Sequence, residues 1–151
     1  MPDHDGEDEI QQHRDERRAA FEALAAAQRR AEQAESVEAR KLIGDFVRRA
    51  HDQGIEPVSL RGRASSGRAT FRTPLKGWYL QRSGPLAVST AGEFYVLIAQ
   101  PGLLARFREV DIPATEPPLA VGRGARDGES MSLKDLLDSR LAAGRNFPTQ
   151  R

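Results

Sequence analysis

Arg61, Arg63, Arg68, Arg72, Lys76 and Arg82 fall within Pro57 to Gly92, a stretch that contains no Asp or Glu. The whole chain carries 23 Lys and Arg against 22 Asp and Glu, a formal net charge of +1. This block therefore concentrates positive charge that the total conceals. Clustered basic side chains attract phosphates, and aromatic rings beside them can stack on unpaired bases. Trp78 and Tyr79 lie within the same stretch but point to opposite faces of any strand that holds them, so at most one would be free to stack. A second basic element is the loop Gly122 to Ser130, where Arg123 and Arg126 sit among glycines ahead of a helix. Such a loop can aim backbone N–H groups at a phosphate. Neither the Walker pattern nor the dinucleotide fingerprint is present, and Asp127 and Glu129 would repel an anion, so a plain structural loop is the competing reading.

Other chemistries find little to work with. The three histidines are His4, His13 and His51, all expected in a tail or in helices, and none adjoins a nucleophile motif. His51 lies in the last turn of a helix, where a cation favours the carbonyl end. The chain has no cysteine, which rules out disulfides, thiolate metal sites, iron–sulfur clusters and cysteine nucleophiles. The acidic run Asp3, Asp5, Glu7, Asp8, Glu9 lacks the spacing of a calcium loop. No enzyme, metal or cofactor is expected. The N-terminal residues lack an apolar leader core, and no apolar run approaches the ~20 residues of a membrane span. The expected setting is the cytoplasm, without a membrane partner.

The elements that must position the basic block follow from composition and period. Residues 1–9 read as a disordered acidic tail. Residues 10–36 are rich in Ala, Glu, Gln and Arg and predict a long charged helix, whose thin apolar stripe rests on Phe21, Leu24, Ala20, Ala27, Ala31 and Ala34. Ser36 is a candidate N-cap for a restarted helix. Ala39, Leu42, Ile43, Phe46, Val47 and Ala50 then form a full helical core face. Gly54 and Pro57 end that helix.

Beyond Pro57 the period becomes extended. Short strands are expected at Val58–Arg61, Ala69–Thr73, Gly77–Gln81 and Leu86–Ser89. Glu93–Ala99 is the most apolar run and is expected to be a central strand, with a further strand at Ala105–Val110. Pro113, Pro117 and Pro118 keep Ile112–Leu119 out of a sheet interior. Ser132 should cap a last helix built on Leu133, Leu136, Leu137 and Leu141, closed by Gly144.

The segments Gly77-Trp78-Tyr79-Leu80, Glu93-Phe94-Tyr95-Val96-Leu97, Pro117-Pro118-Leu119 with Val121-Gly122, and Arg126-Asp127-Gly128-Glu129-Ser130 together resemble a pattern of small actinobacterial proteins of uncharacterised function. The resemblance covers roughly residues 40 to 145. It implies a bacterial cytoplasmic setting and a domain boundary near residue 37, and it brings no activity, cofactor or catalytic residue.

The expected fold is α+β: an antiparallel meander with a preceding amphipathic helix and a C-terminal helix, over residues 37–145, plus the long N-terminal helix and a tail at 146–151. The expected core is Leu42, Ile43, Phe46 and Val47 from the helix, Trp78, Leu80, Val88, Phe94, Val96 and Ile98 from strands, and Leu133, Leu136 and Leu137. The expected function is a non-catalytic protein-interaction or adaptor module that uses the N-terminal helix and a basic sheet surface, with a protein partner or a second copy. The alternative is binding of nucleic acid or another polyanion through the acid-free block. The candidate contact residues are Arg61, Arg63, Arg68, Arg72, Lys76, Arg123 and Arg126.

Overall fold

In a computed structural model, which describes residues 4–122 and 130–147, the chain divides into two compact units, Met1–Glu35 and Ser36–Arg151. Helix α1 spans His4–Asp52 without interruption. It begins earlier than the composition predicts, since His4 to Glu9, expected as a tail, are helical. Asp5 and Glu7 lie in its first turn, where negative charge favours the helix dipole. Ser36 does not restart the helix as expected. A serine within a helix costs only a few tenths of a kcal/mol against alanine, too little to break a run that lacks Gly and Pro. Gly54, at φ 67°, ends the segment as expected.

In the second unit, α1 buries Ala39, Ile43, Phe46 and Ala50, the predicted face, with Leu42 and Val47 partly buried beside them. Five strands follow: β1 (Val58–Ala64), β2 (Thr70–Tyr79), β3 (Leu86–Ser89), β4 (Phe94–Val96) and β5 (Ile98–Ala99). Their order in the sheet is β4-β3-β2-β1-β5. The pairings β4-β3, β3-β2 and β2-β1 are antiparallel, whereas β1 and β5 pair in parallel, so the sheet is mixed.

The apolar run 93–99 is therefore not a central strand. It is split at Leu97 and supplies both ends of the strand order. The Leu97 N–H donates to the Pro85 carbonyl at 2.7 Å, while its carbonyl accepts from the Arg63 N–H at 2.9 Å. One residue thus joins the two edges, and the sheet curls on itself. The curl encloses a small inner cluster of Leu60, Ala87, Tyr95 and Leu97, flanked by Leu75, Tyr79 and Ile112. Ile98, expected in the core, is 42% exposed because the break at Leu97 turns it outward, and Leu97 is buried in its place.

The central position belongs to β2, which combines two runs expected as separate strands. Pro74 lies inside it and has no N–H to offer the ladder. The register accommodates this by an irregularity: Arg61 pairs with Arg72, but Ser59 pairs with Lys76. The Leu60 carbonyl instead accepts the Thr73 hydroxyl at 2.6 Å. Gly77 is required where β2 meets β3, since any Cβ there would run into the Val88 carbonyl.

On the outer face, Trp78, Leu80, Val88 and Phe94 pack with α1 and with α2 (Leu133–Ala143). Ser132 caps α2 by accepting from the Asp135 N–H at 3.1 Å, and Gly144, at φ 65°, follows its last turn. A two-stranded ribbon, β6 (Ala120–Gly122) with β7 (Ser130–Ser132), leads into that helix and was not expected. The expected strand at 105–110 is absent: Leu103–Arg106 form a 3₁₀ turn, because the Leu-Leu pair and Phe107 lack the two-residue alternation of a strand.

Candidate functional site

Alternation along β1 buries Leu60, Gly62 and Ala64 and leaves Arg61 and Arg63 exposed. Along β2 it buries Phe71 and Thr73 and exposes Arg72 and Lys76. The ladder then sets Arg61 directly opposite Arg72, Arg63 opposite Thr70, and Ser59 opposite Lys76. Four of the candidate cations therefore share one solvent-facing patch. Arg72 and Lys76 have the same alternation as Trp78, so β2 presents one face with two uses. Its Trp78 end lies in the core shared with the helices, and its Arg72 end is exposed.

Like charges directly opposite on adjacent strands destabilise a sheet. The Arg61 guanidinium is held by the Thr70 hydroxyl at 3.3 Å, and Arg61, Arg63, Arg68, Arg72 and Lys76 form no ion pair with a described residue. Arg68 is exposed in the turn between β1 and β2, next to the patch in sequence but outside its ladder. Arg82 follows β2 and lines a separate cleft with Val121 and Met131. Arg123 and Arg126 lie outside the described residues.

The aromatic half of the nucleic-acid expectation is not met by Trp78 or Tyr79. Trp78 is 1% exposed; its indole N–H donates to the Ile55 carbonyl at 2.9 Å, and its ring meets Phe46 and His51 edge-on. Tyr79 is half-buried, and its hydroxyl accepts from the Arg61 N–H at 2.7 Å. Both rings are structural. The exposed aromatic ring next to the patch is Phe107, in the segment misread as a strand.

That segment is tied to the patch by backbone, since the Val110 N–H donates to the Arg72 carbonyl at 2.8 Å. It carries Leu103, Leu104 and Phe107, which are 99%, 58% and 78% exposed. Arg106 and Arg108 flank Phe107. Sequence reasoning missed this group because two leucines and a phenylalanine after Pro-Gly suggest burial. The available signal was the pair of arginines interleaved with them.

A further arginine was also missed. Arg140 on α2 is buried, and it donates from Nε to the Tyr79 carbonyl at 2.8 Å and from Nη1 to the Gly144 carbonyl at 2.9 Å. Its guanidinium carbon lies 4.1 Å from the centre of the Phe147 ring. Burial pulls its pKa below the usual arginine value. It borders a cleft of about 560 Å³ with Ile55, Trp78, Tyr79 and Arg145. With two carbonyls and a ring taking up its donors and charge, Arg140 fastens α2 to β2.

In the first unit, the helical segment from His4 to Glu35 leaves Ile10, Phe21 and Leu24 exposed by 56%, 78% and 69%. His13 lies 3.8 Å from Glu16 on the same helix. Among the described residues no cluster of three His, Asp or Glu could hold a metal ion, and no helix is long and apolar enough to cross a membrane. No family model, curated protein or solved structure matches the chain.

Proposed function

We propose that this protein is a non-catalytic interaction module of the cytoplasm whose N-terminal helix pairs with a second copy of itself. The observation that carries the reading is the exposure of Phe21 and Leu24, at 78% and 69%, on a helix that also bears Ala20, Ala27, Ala31 and Ala34. With Leu24, those alanines recur at alternating intervals of four and three residues, the spacing that places one side chain per turn along a helix–helix seam. Alanines let two backbones approach closely, and the leucine and phenylalanine supply the apolar area. The cysteine-free composition suits a reducing compartment.

Light scattering of the full chain beside the Phe21→Glu, Leu24→Glu variant tests this. Glutamate keeps the helix propensity while removing the seam. The expected result is a dimer that the double variant converts to a monomer with unchanged helicity. A full chain that is monomeric at every accessible concentration rejects self-pairing.

A second reading concerns the β1–β2 face. The like-charged pair Arg61 and Arg72, with Arg63 and Lys76 beside it, forms a basic patch suited to a polyanion. Titration of the full chain with heparin at rising salt tests this reading: affinity should fall steeply with salt and be lost in Arg63→Glu. Salt-independent or absent binding counts against it.

A further inference from the structure

Resting on the polyanion reading of the β1–β2 face, we propose that the anionic surface it meets is a lipid bilayer, with Leu103, Leu104 and Phe107 entering the headgroup region while Arg63, Arg72 and Arg106 face the lipid phosphates. The expectation of no membrane partner came from the lack of a spanning segment, and peripheral docking needs none.

Three observations favour a bilayer over a nucleic acid. First, the apolar side chains are large, adjacent and exposed, with Leu103 fully in solvent at 99%. Leucine has no ring to stack on a base, so two exposed leucines add nothing to nucleic-acid contact but can partition into an apolar boundary. Ile98, exposed and paired with Arg63 across β5 and β1, extends the apolar group toward the patch.

Second, the turn that carries them bonds part of its backbone internally. The Ala105 N–H donates to the Gly102 carbonyl at 3.1 Å, and the Phe107 and Arg108 N–H groups donate to the Leu104 carbonyl at 2.9 and 3.1 Å. Amide groups bonded in this way can leave bulk water with little penalty, which an open loop cannot do.

Third, apolar insertion and basic charge occur together. Either signal alone gives marginal attachment, and two in combination give stable attachment. Each Lys or Arg near an anionic surface adds about fivefold to partitioning. Arg106 and Arg108 flank Phe107, Arg72 lies on β2, to which the segment is tied, and Arg63 lies on the neighbouring β1. Glu109 and Asp111 come after them, on either side of Val110, where the chain returns to β2.

The test is sedimentation of the full chain with vesicles of phosphatidylcholine alone, and of phosphatidylcholine with phosphatidylserine at about two to one. Binding to the anionic vesicles should exceed binding to the neutral ones by about tenfold or more. Leu104→Ser with Phe107→Ser should lower it at least about tenfold while leaving the circular dichroism unchanged, because both side chains are mostly exposed and lie outside the two core clusters. Arg63→Glu with Arg72→Glu should abolish it. Anionic-vesicle binding that is unaffected by the serine pair overturns insertion. Absent vesicle binding, with salt-sensitive capture of single-stranded RNA lost in the Arg63→Glu, Arg72→Glu variant, overturns the bilayer proposal and leaves the polyanion reading standing. Capture of neither removes both.

Discussion

Tyr95 shows at a single residue how the curled sheet constrains chemistry. Its hydroxyl donates to Glu93 Oε2 at 2.6 Å, and its ring lies in the inner cluster. Burial first, then the hydrogen bond and the negative charge of Glu93, push its pKa from 10.0 up to about 12. Because the folded chain holds this proton more tightly than the unfolded chain, the resulting stabilisation is complete below pH 10. It is lost as pH rises toward 12. Ultraviolet titration of tyrosinate should show Tyr95 ionising late, and Glu93→Gln should move that step part of the way back toward 10. Trp78 supplies a second test at this scale. Replacing it with Phe removes the donor to the Ile55 carbonyl and leaves a void, and should cost about 2–3 kcal/mol in urea unfolding. A loss under about 0.5 kcal/mol would show that the indole is dispensable.

At the scale of elements, the pairing of β1 with β2 sets stability against binding. Arg72→Glu turns the repulsive pair with Arg61 into an attractive one and should raise stability by about 0.2–1 kcal/mol at low salt, an effect that fades as salt increases. The same substitution should weaken heparin and anionic-vesicle binding. A variant that is less stable, or that binds as well as the parent, would show that the pair is not under repulsion or not at the contact. The sequence revealed only part of this arrangement. An acid-free block was legible from composition, but the opposition of Arg61 and Arg72 follows from the register of the hairpin that also pairs Arg63 with Thr70, and that of Ser59 and Lys76 from a shift near Pro74, neither of which a local pattern encodes. The α1 face was legible because Ala39, Ile43, Phe46 and Ala50 repeat at helical spacing, and the Ser132 cap because its signal spans only a few residues. The break at Leu97 was hidden: an apolar run looks the same whether it forms one strand or two, and the bonds that divide it come from Pro85 and Arg63, distant in sequence. The exposed turn at Leu103–Phe107 was hidden for a related reason, since hydrophobicity predicts burial, not position at the rim of a basic face.

For the whole molecule, the division at Glu35 and Ser36 predicts which part carries stability. Among the described residues every buried apolar one lies from Ala39 onward, so the described part of the helix before Ser36 contributes no side chain to either core cluster. A chain beginning at Ser36 should therefore lose helical ellipticity yet unfold cooperatively, with a stability within about 1 kcal/mol of the parent when both are monomeric. Ser36 gains a role in that shortened chain. Idle in the middle of the long helix, it becomes the first residue with unsatisfied N–H groups beyond it, and its hydroxyl can cap them, with Glu38 in the first turn. Ser36→Ala should accordingly cost the shortened chain about 0.5–2 kcal/mol and leave the full chain unchanged or slightly more helical. If the shortened chain instead melts without cooperativity, the first unit supports the second and the division is not one of stability. If it folds as expected, what the first 35 residues provide must be measured as association, which the Phe21→Glu, Leu24→Glu pair removes without shortening the helix.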